Sequence, residues 1–226
     1  MKVRQTDVTE ADAKSAQIFF GAVLGFFDLS KAHVLDAFAR NGQLTVSNYH
    51  GKVGSIECWE LGEEHREALL KYTDDVQIGD SYSLLDGVGG DKFDMVVIDT
   101  PQGLHKDDSG AVMCEHFDFL PHAVAMTNPG GIVVLYCNKA PYDKDKDGSQ
   151  GYDEYAEYDF KKWMAARQNY YNVSNGREVA EEDMLIAYRD VIENEGRELG
   201  RIVMIPCFSD VPGKAPYAFR LALEVL

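Results

Sequence analysis

Two continuous apolar runs constrain this chain most: "KFDMVVIDT" (Lys92–Thr100) and "GIVVLYCN" (Gly131–Asn138). A strand with one wet face alternates polar and apolar residues. These runs do not, so each belongs to a strand covered on both faces. Shorter runs of the same kind precede them, "AHVLDAF" (Ala32–Phe38), "GKVGSIECWEL" (Gly51–Leu61) and the start of "DDVQIGDSYSLL" (Asp74–Leu85). Between the runs lie helical patterns. Thr9 and Asp12 resemble a capping box, and Ile18, Phe19, Ala22, Val23 and Phe26 follow at helical spacing, which predicts an N-terminal helix over about 9–27. "GEEHREALLKY" predicts a helix with Ala68 and Leu69 inward, and "EHFDFLPHAVAMTN" predicts one that ends before Pro129 and the Gly130–Gly131 pair. Helices over 154–168 and 178–195 and two closing strands, "RIVMIPCFS" and "YAFRLALEVL", complete the order. Strands alternating with helices imply an α/β fold: a mostly parallel sheet with right-handed crossovers, helices on both faces and an antiparallel C-terminal pair. The 226 residues and 45% hydrophobic content suit one domain, 1–226, with an insertion carrying an acidic loop at about 139–195.

Composition narrows the setting. The four cysteines, Cys58, Cys114, Cys137 and Cys207, are widely spaced, so neither a zinc cluster nor a disulfide framework is expected. No secretory-type leader and no apolar run of roughly 20 residues is seen, so a cytoplasmic protein without a membrane span is expected. The net charge of −16 disfavours nucleic acid as a partner without excluding a local basic patch. The best patch, "DFKKWMAARQNYY" (Asp159–Tyr171), reads more simply as a solvated helix face. The oligomeric state is open.

In open α/β sheets ligands sit at the carboxyl ends of the strands. Four predicted strands carry an acid there in chain order: Asp36, Glu60, Asp80 and Asp99. An acid after the second strand can accept hydrogen bonds from both hydroxyls of a ribose. Glu60 is expected in an open cleft. "GVGGDK" (Gly87–Lys92) lacks the spacing of a phosphate loop, and no Ser–His–Asp pattern or nucleophile elbow is present. Of the histidines, His33, His65, His116 and His122 read as ordinary core or surface residues, while His105 stands where a substrate could arrive.

At these residues the sequence resembles the class I S-adenosylmethionine-dependent methyltransferases. "VLDAFARNG" (Val34–Gly42) is similar to the first motif, and "DTPQG" (Asp99–Gly103) to the fourth, D-P-P-aromatic. The resemblance implies a Rossmann-like seven-stranded fold and S-adenosylmethionine as cofactor, held by Asp36, Phe38, Gly42, Glu60, Asp80, Ser81 and Asp99. It implies catalytic positions at Asp99, Pro101 and Gln102, and an acceptor that is a nucleic-acid base or a small molecule. The sequence departs from the pattern twice. The middle glycine of the first motif is Arg40, which either obstructs the site, points outward or pairs with the cofactor's carboxylate; Asn41 and Gly42 still allow a tight turn. The fourth motif has Thr100 for its first proline and Gln102 for its aromatic, which weakens stacking on a flat base. A non-catalytic partner or scaffold protein is the alternative, and another reaction of the same cofactor a third.

A separate signal is "DKDKDGSQGYDE", which fits D-x-D-x-D-G-x5-E with Asp143, Asp145, Asp147 and Glu154 as ligands of a calcium ion. An acidic solvated loop is the plainer reading.

Overall fold

A computed structural model describes residues 10–98, 103–107, 110–114, 118–138, 160–174, 177–207, 216 and 218–226. Its centre is a seven-stranded sheet formed by β1 (His33–Asp36), β2 (Ser55–Glu60), β3 (Val76–Ile78), β4 (Phe93–Ile98), β7 (Thr127–Asn138), β8 (Leu199–Cys207) and β9 (Ala218–Val225). The strand order is β3-β2-β1-β4-β7-β9-β8. The first five strands are parallel, and β9 runs antiparallel between β7 and β8. This is the mostly parallel sheet with a closing antiparallel pair that the alternation implies. A separate antiparallel hairpin, β5 (Gly103–Asp107) with β6 (Gly110–Cys114), follows β4 and was not expected.

The apolar runs serve two faces. On one, Leu35, Trp59, Val96, Val133 and Leu221 pack with α5 (Leu120–Met126) and with Met184, Tyr188 and Ile192 of α7 (Glu181–Asn194). On the other, Val34, Cys58, Met95, Val97 and Val134 pack with Phe19, Phe20 and Val23 of α1 (Glu10–Phe26) and with Val46 and Tyr49 of α2 (Val46–Tyr49). Removing one such buried ring costs about 3–5 kcal/mol, because transfer and cavity terms add.

Two acidic side chains at these layers are matched by donors. Glu57, 2% exposed, accepts hydrogen bonds from Trp59 Nε1 (2.7 Å) and Gln77 Nε2 (2.6 Å) and pairs with Lys92 Nζ at 3.1 Å. It ties β2, β3 and the approach to β4 together. Asp94 accepts from the His33 N–H and from Asn128 Nδ2, both at 2.8 Å, joining the starts of β1, β4 and β7.

Several predicted boundaries are corrected. The second strand is shorter, because Gly51 takes φ +72° and the Gly54 N–H bonds the Ala32 carbonyl in a turn. The helix over 62–72 is a 3-10 turn (Glu63–His65) leading into α3 (Arg66–Leu69); Leu69 is buried and Ala68 half-buried. The helix before the fifth parallel strand is confined to Leu120–Met126. "TNPGG" belongs to a bulged start of β7, with a register shift between the Phe93–Thr127 and Met95–Ile132 pairs. In α1, Ile18 and Phe26 face outward, 53% and 52% exposed, while Ser15 and Ala16 turn inward. The remaining helices, α4 (Ser81–Leu84) and α6 (Phe160–Tyr170), lie where helical character was expected. Among the described residues no helix is long and apolar enough to cross a membrane.

Candidate cofactor site at the carboxyl edge

The loop after β1 occupies the point where the chain order along the sheet reverses, with β2 on one side and β4 on the other. Its backbone is divided between them. The Ala37 N–H bonds the Val97 carbonyl of β4 (2.9 Å), and the Ala39 N–H bonds the Trp59 carbonyl of β2 (3.1 Å). Ser81 Oγ donates to the Ala37 carbonyl, which fastens α4 to the same loop. Small buried side chains at Ala37 and Ala39 let these strands approach.

The turn that follows has two left-handed residues, Arg40 (φ +48°) and Gly42 (φ +73°). The expectation that Asn41 would share this role with Gly42 is corrected: Arg40 takes it. Asn41 instead uses its side chain, Oδ1 accepting the Gln43 N–H at 3.1 Å. Gly42 is required for space as well as φ, since an added Cβ would stand 3.0 Å from the Tyr72 ring and 3.2 Å from Val46 Cβ.

Asp36 is 1% exposed, and its Oδ2 accepts the Tyr49 hydroxyl at 2.7 Å. Burial, together with the Asp36 charge, pushes the Tyr49 phenol well above its ordinary value, so it stays a donor. Asp36 thereby holds α2 beneath the loop. Burial, with the same carboxylate next, also raises the Cys58 thiol, consistent with an inert core cysteine.

Glu60 is 8% exposed, not in an open cleft as expected. Its Oε2 accepts the Arg40 N–H at 2.7 Å and its Oε1 accepts the Gly62 N–H at 2.8 Å. A carboxylate oxygen has a second lone pair, so both remain able to accept from a ligand. Asp80 is exposed and caps α4, accepting the Tyr82 N–H at 3.3 Å. Glu60 and this segment touch directly, the Gly79 N–H bonding the Glu60 carbonyl at 2.9 Å.

Two residues here escaped the sequence reading. Leu61 is 72% exposed beside Glu60, and Tyr82 is 36% exposed beside Asp80. Tyr82 leans edge-on against Phe119 (5.3 Å), which Phe38 meets at 5.0 Å in the same geometry. An acid flanked by exposed apolar side chains suits a ligand with a diol and a flat base. Their signal in sequence was only adjacency to the two acids.

The far half of the edge carries a buried cluster that was also missed. Arg220 of β9, 2% exposed, donates to Ser15 Oγ of α1 (3.1 Å) and lies over the Tyr136 ring of β7 (5.0 Å). Ser15 Oγ in turn contacts Cys207 Sγ at 3.1 Å. An arginine inside the apolar run "AFRLALEV" was the available clue.

Asp99, Pro101 and Gln102 lie outside the described residues, as do Asp143, Asp145, Asp147 and Glu154 of the predicted calcium loop. Among the described residues no group of three or more His, Cys, Asp or Glu side chains is placed to hold a metal ion.

The sheet order, the antiparallel closing strand and the loop at the switch point define the fold of the S-adenosylmethionine-dependent methyltransferases. Comparison of structures agrees. M. jannaschii TYW2 in complex with AdoMet matches with TM-score 0.55 at 12% identity, over 98% of this chain and 77% of that one. A SAM-dependent methyltransferase from Archaeoglobus fulgidus matches with TM-score 0.54 at 11% identity, over 94% of each chain. Burkholderia thailandensis 1,6-didemethyltoxoflavin-N1-methyltransferase, with bound 1,6-didemethyltoxoflavin and S-adenosylhomocysteine, matches with TM-score 0.52 at 15% identity, over 96% and 79%. Of some larger structures the chain spans 66% or 51%. At such identities the likeness is one of fold. No protein-family model and no curated protein matches the sequence.

Proposed function

We propose that this protein is an S-adenosylmethionine-dependent methyltransferase. The observation that carries the proposal is the ordered edge β3-β2-β1-β4, where Asp80 and Tyr82, then Glu60 and Leu61, then the Ala37–Gly42 loop stand side by side. Glu60 accepts the ribose hydroxyls, Tyr82 and Leu61 border the adenine, and Asp80 and Ser81 frame it. Asp36 and Gly42 act through the loop they shape, and Phe38 through the aromatic wall with Phe119. When bound, the cofactor would supply the methyl group; Asp99, Pro101 and Gln102, which follow β4 in the sequence, would position the acceptor, and Asp99 would take the acceptor's proton. The acceptor is a nucleic-acid base or a small molecule. Both the net charge and Gln102 in place of an aromatic favour the small molecule.

Calorimetric titration with S-adenosylmethionine and S-adenosylhomocysteine tests this reading. Micromolar binding of both is expected. Absence of heat and of any thermal shift at millimolar ligand, in protein shown to carry no cofactor, overturns it in favour of a non-catalytic scaffold.

A further inference from the structure

Arg40 is a guanidinium held at the cofactor loop by a conformation that arginine does not prefer. Its φ of +48° is one of three positive values among non-glycine described residues, and the others fall on Asp91 and Asn172. Asp and Asn tolerate this region; a long side chain pays for it, and such strain gathers at functional sites. The surroundings over-determine the backbone: the Arg40 N–H is clamped on Glu60, the Ala39 N–H is bonded to β2, and the Gly42 N–H closes the turn on the Ala39 carbonyl at 2.8 Å. The side chain itself is half-buried and makes no ion pair among the described residues. Arg66, Arg177, Arg197 and Arg201 are paired with Glu63, Asp183, Asp91 and Glu224, while the exposed Arg189, like Arg40, has no ion pair among the described residues. Arg40 leaves even its neighbour Glu60 to the backbone. A cation without an ion pair among the described residues, on the loop clamped to Glu60 in a chain of net charge −16, is complementary to a ligand that brings hydroxyl donors for the acid and one carboxylate for the arginine.

The strand order says which carboxylate. With the base along α4 and the ribose on Glu60, the part of the ligand that crosses β1 towards β4 is the methionyl chain. We infer that Arg40 binds the methionyl carboxylate of the cofactor, replacing the backbone approach that a glycine would give with a charged side-chain contact. This rests on the cofactor reading above. It makes Arg40 a cofactor-specificity residue, and it predicts that the site separates S-adenosylhomocysteine from 5′-methylthioadenosine, which lacks the amino-acid tail, by more than shape alone.

The test is titration of wild type, Arg40→Gln and Arg40→Gly with both compounds. Arg40→Gln is expected to weaken S-adenosylhomocysteine about tenfold or more, the usual scale of one charged hydrogen-bonded pair. Its affinity for 5′-methylthioadenosine should change less than about twofold on the same scale. Arg40→Gly guards against a folding artefact, because glycine suits the left-handed backbone; it should keep or raise the thermal midpoint and show the same selective loss. Equal weakening of both compounds overturns the inference. So does unchanged affinity for S-adenosylhomocysteine, which would hand Arg40 to an anionic acceptor, or tighter binding in Arg40→Gly, which would make Arg40 an obstruction. If wild type binds neither compound, the cofactor reading itself falls, and that outcome is distinct from the others.

Discussion

At the scale of single residues, the acids at the strand ends share a sequence signal but divide the work. Asp36 is turned into the protein, and Glu60 faces two backbone N–H groups at the edge. Tyr49→Phe leaves Asp36 short of one buried donor and should destabilise the fold by about 1–3 kcal/mol in urea titrations, without a direct effect on ligand contacts. Glu60→Ala removes two loop clamps and, with them, the proposed ligand acceptor. It should lower affinity for S-adenosylhomocysteine about tenfold or more and also lower the thermal midpoint by a few degrees. Loss of stability with unchanged affinity would leave Glu60 a structural residue only. Gly42→Ala should cost about 1–3 kcal/mol in urea titrations, because alanine meets both the left-handed φ and the Tyr72 ring. The order of these residues was legible from "VLDAFARNG" and "CWEL". Their burial was not, because it depends on Tyr49 and on the backbone of another loop, neither of which a strand-end pattern contains.

At the scale of elements, continuous apolar runs identified β4 and β7 because both faces of the sheet are covered. The β5–β6 hairpin was missed for a related reason: "GLHKDDSGAVMC" has no sustained apolar period, and its pairing is set by partner strand more than by intrinsic preference. The bulged start of β7 was read as a helix end followed by strand-breaking residues, because proline and glycines break strands as readily as they bulge them. The closing strands offer a pH test. Glu224 of β9 accepts from Arg201 Nη2 (2.6 Å), Nε (2.9 Å) and the Arg201 N–H (2.8 Å). The hydrogen bonds from Arg201 hold its carboxyl below the usual range. A depressed folded value means the contribution is fully present above the unfolded carboxylate value, about 4.3, and is lost as pH falls through the folded one. Glu224→Gln should therefore lower the thermal midpoint near neutrality, and the gap to wild type should close in acid. A gap that stays constant from about pH 7 to about pH 3 would contradict this, since it would not follow the carboxylate's titration.

At the scale of the whole molecule, sheet order sets the edge that the proposed cofactor would meet, with its base beside β3, its ribose beside β2, its tail over the β1 loop and its reacting group beyond β4. The fold was legible because it follows from periodicity, and of the four strand-end acids Asp36, Glu60 and Asp80 are described at or just past the ends of their strands. The aromatic wall of Phe38, Tyr82 and Phe119 was not legible, since it joins the loop after β1, helix α4 and the turn before α5. The most direct test is a crystal structure of the protein with S-adenosylhomocysteine. Both ribose hydroxyls are expected within hydrogen-bond distance of Glu60, adenine bordered by Leu61 and Tyr82, and the amino-acid tail across the Ala37–Gly42 loop. A ligand bound elsewhere, or one at this edge that leaves Glu60 in contact with the Arg40 and Gly62 N–H groups alone, would contradict this.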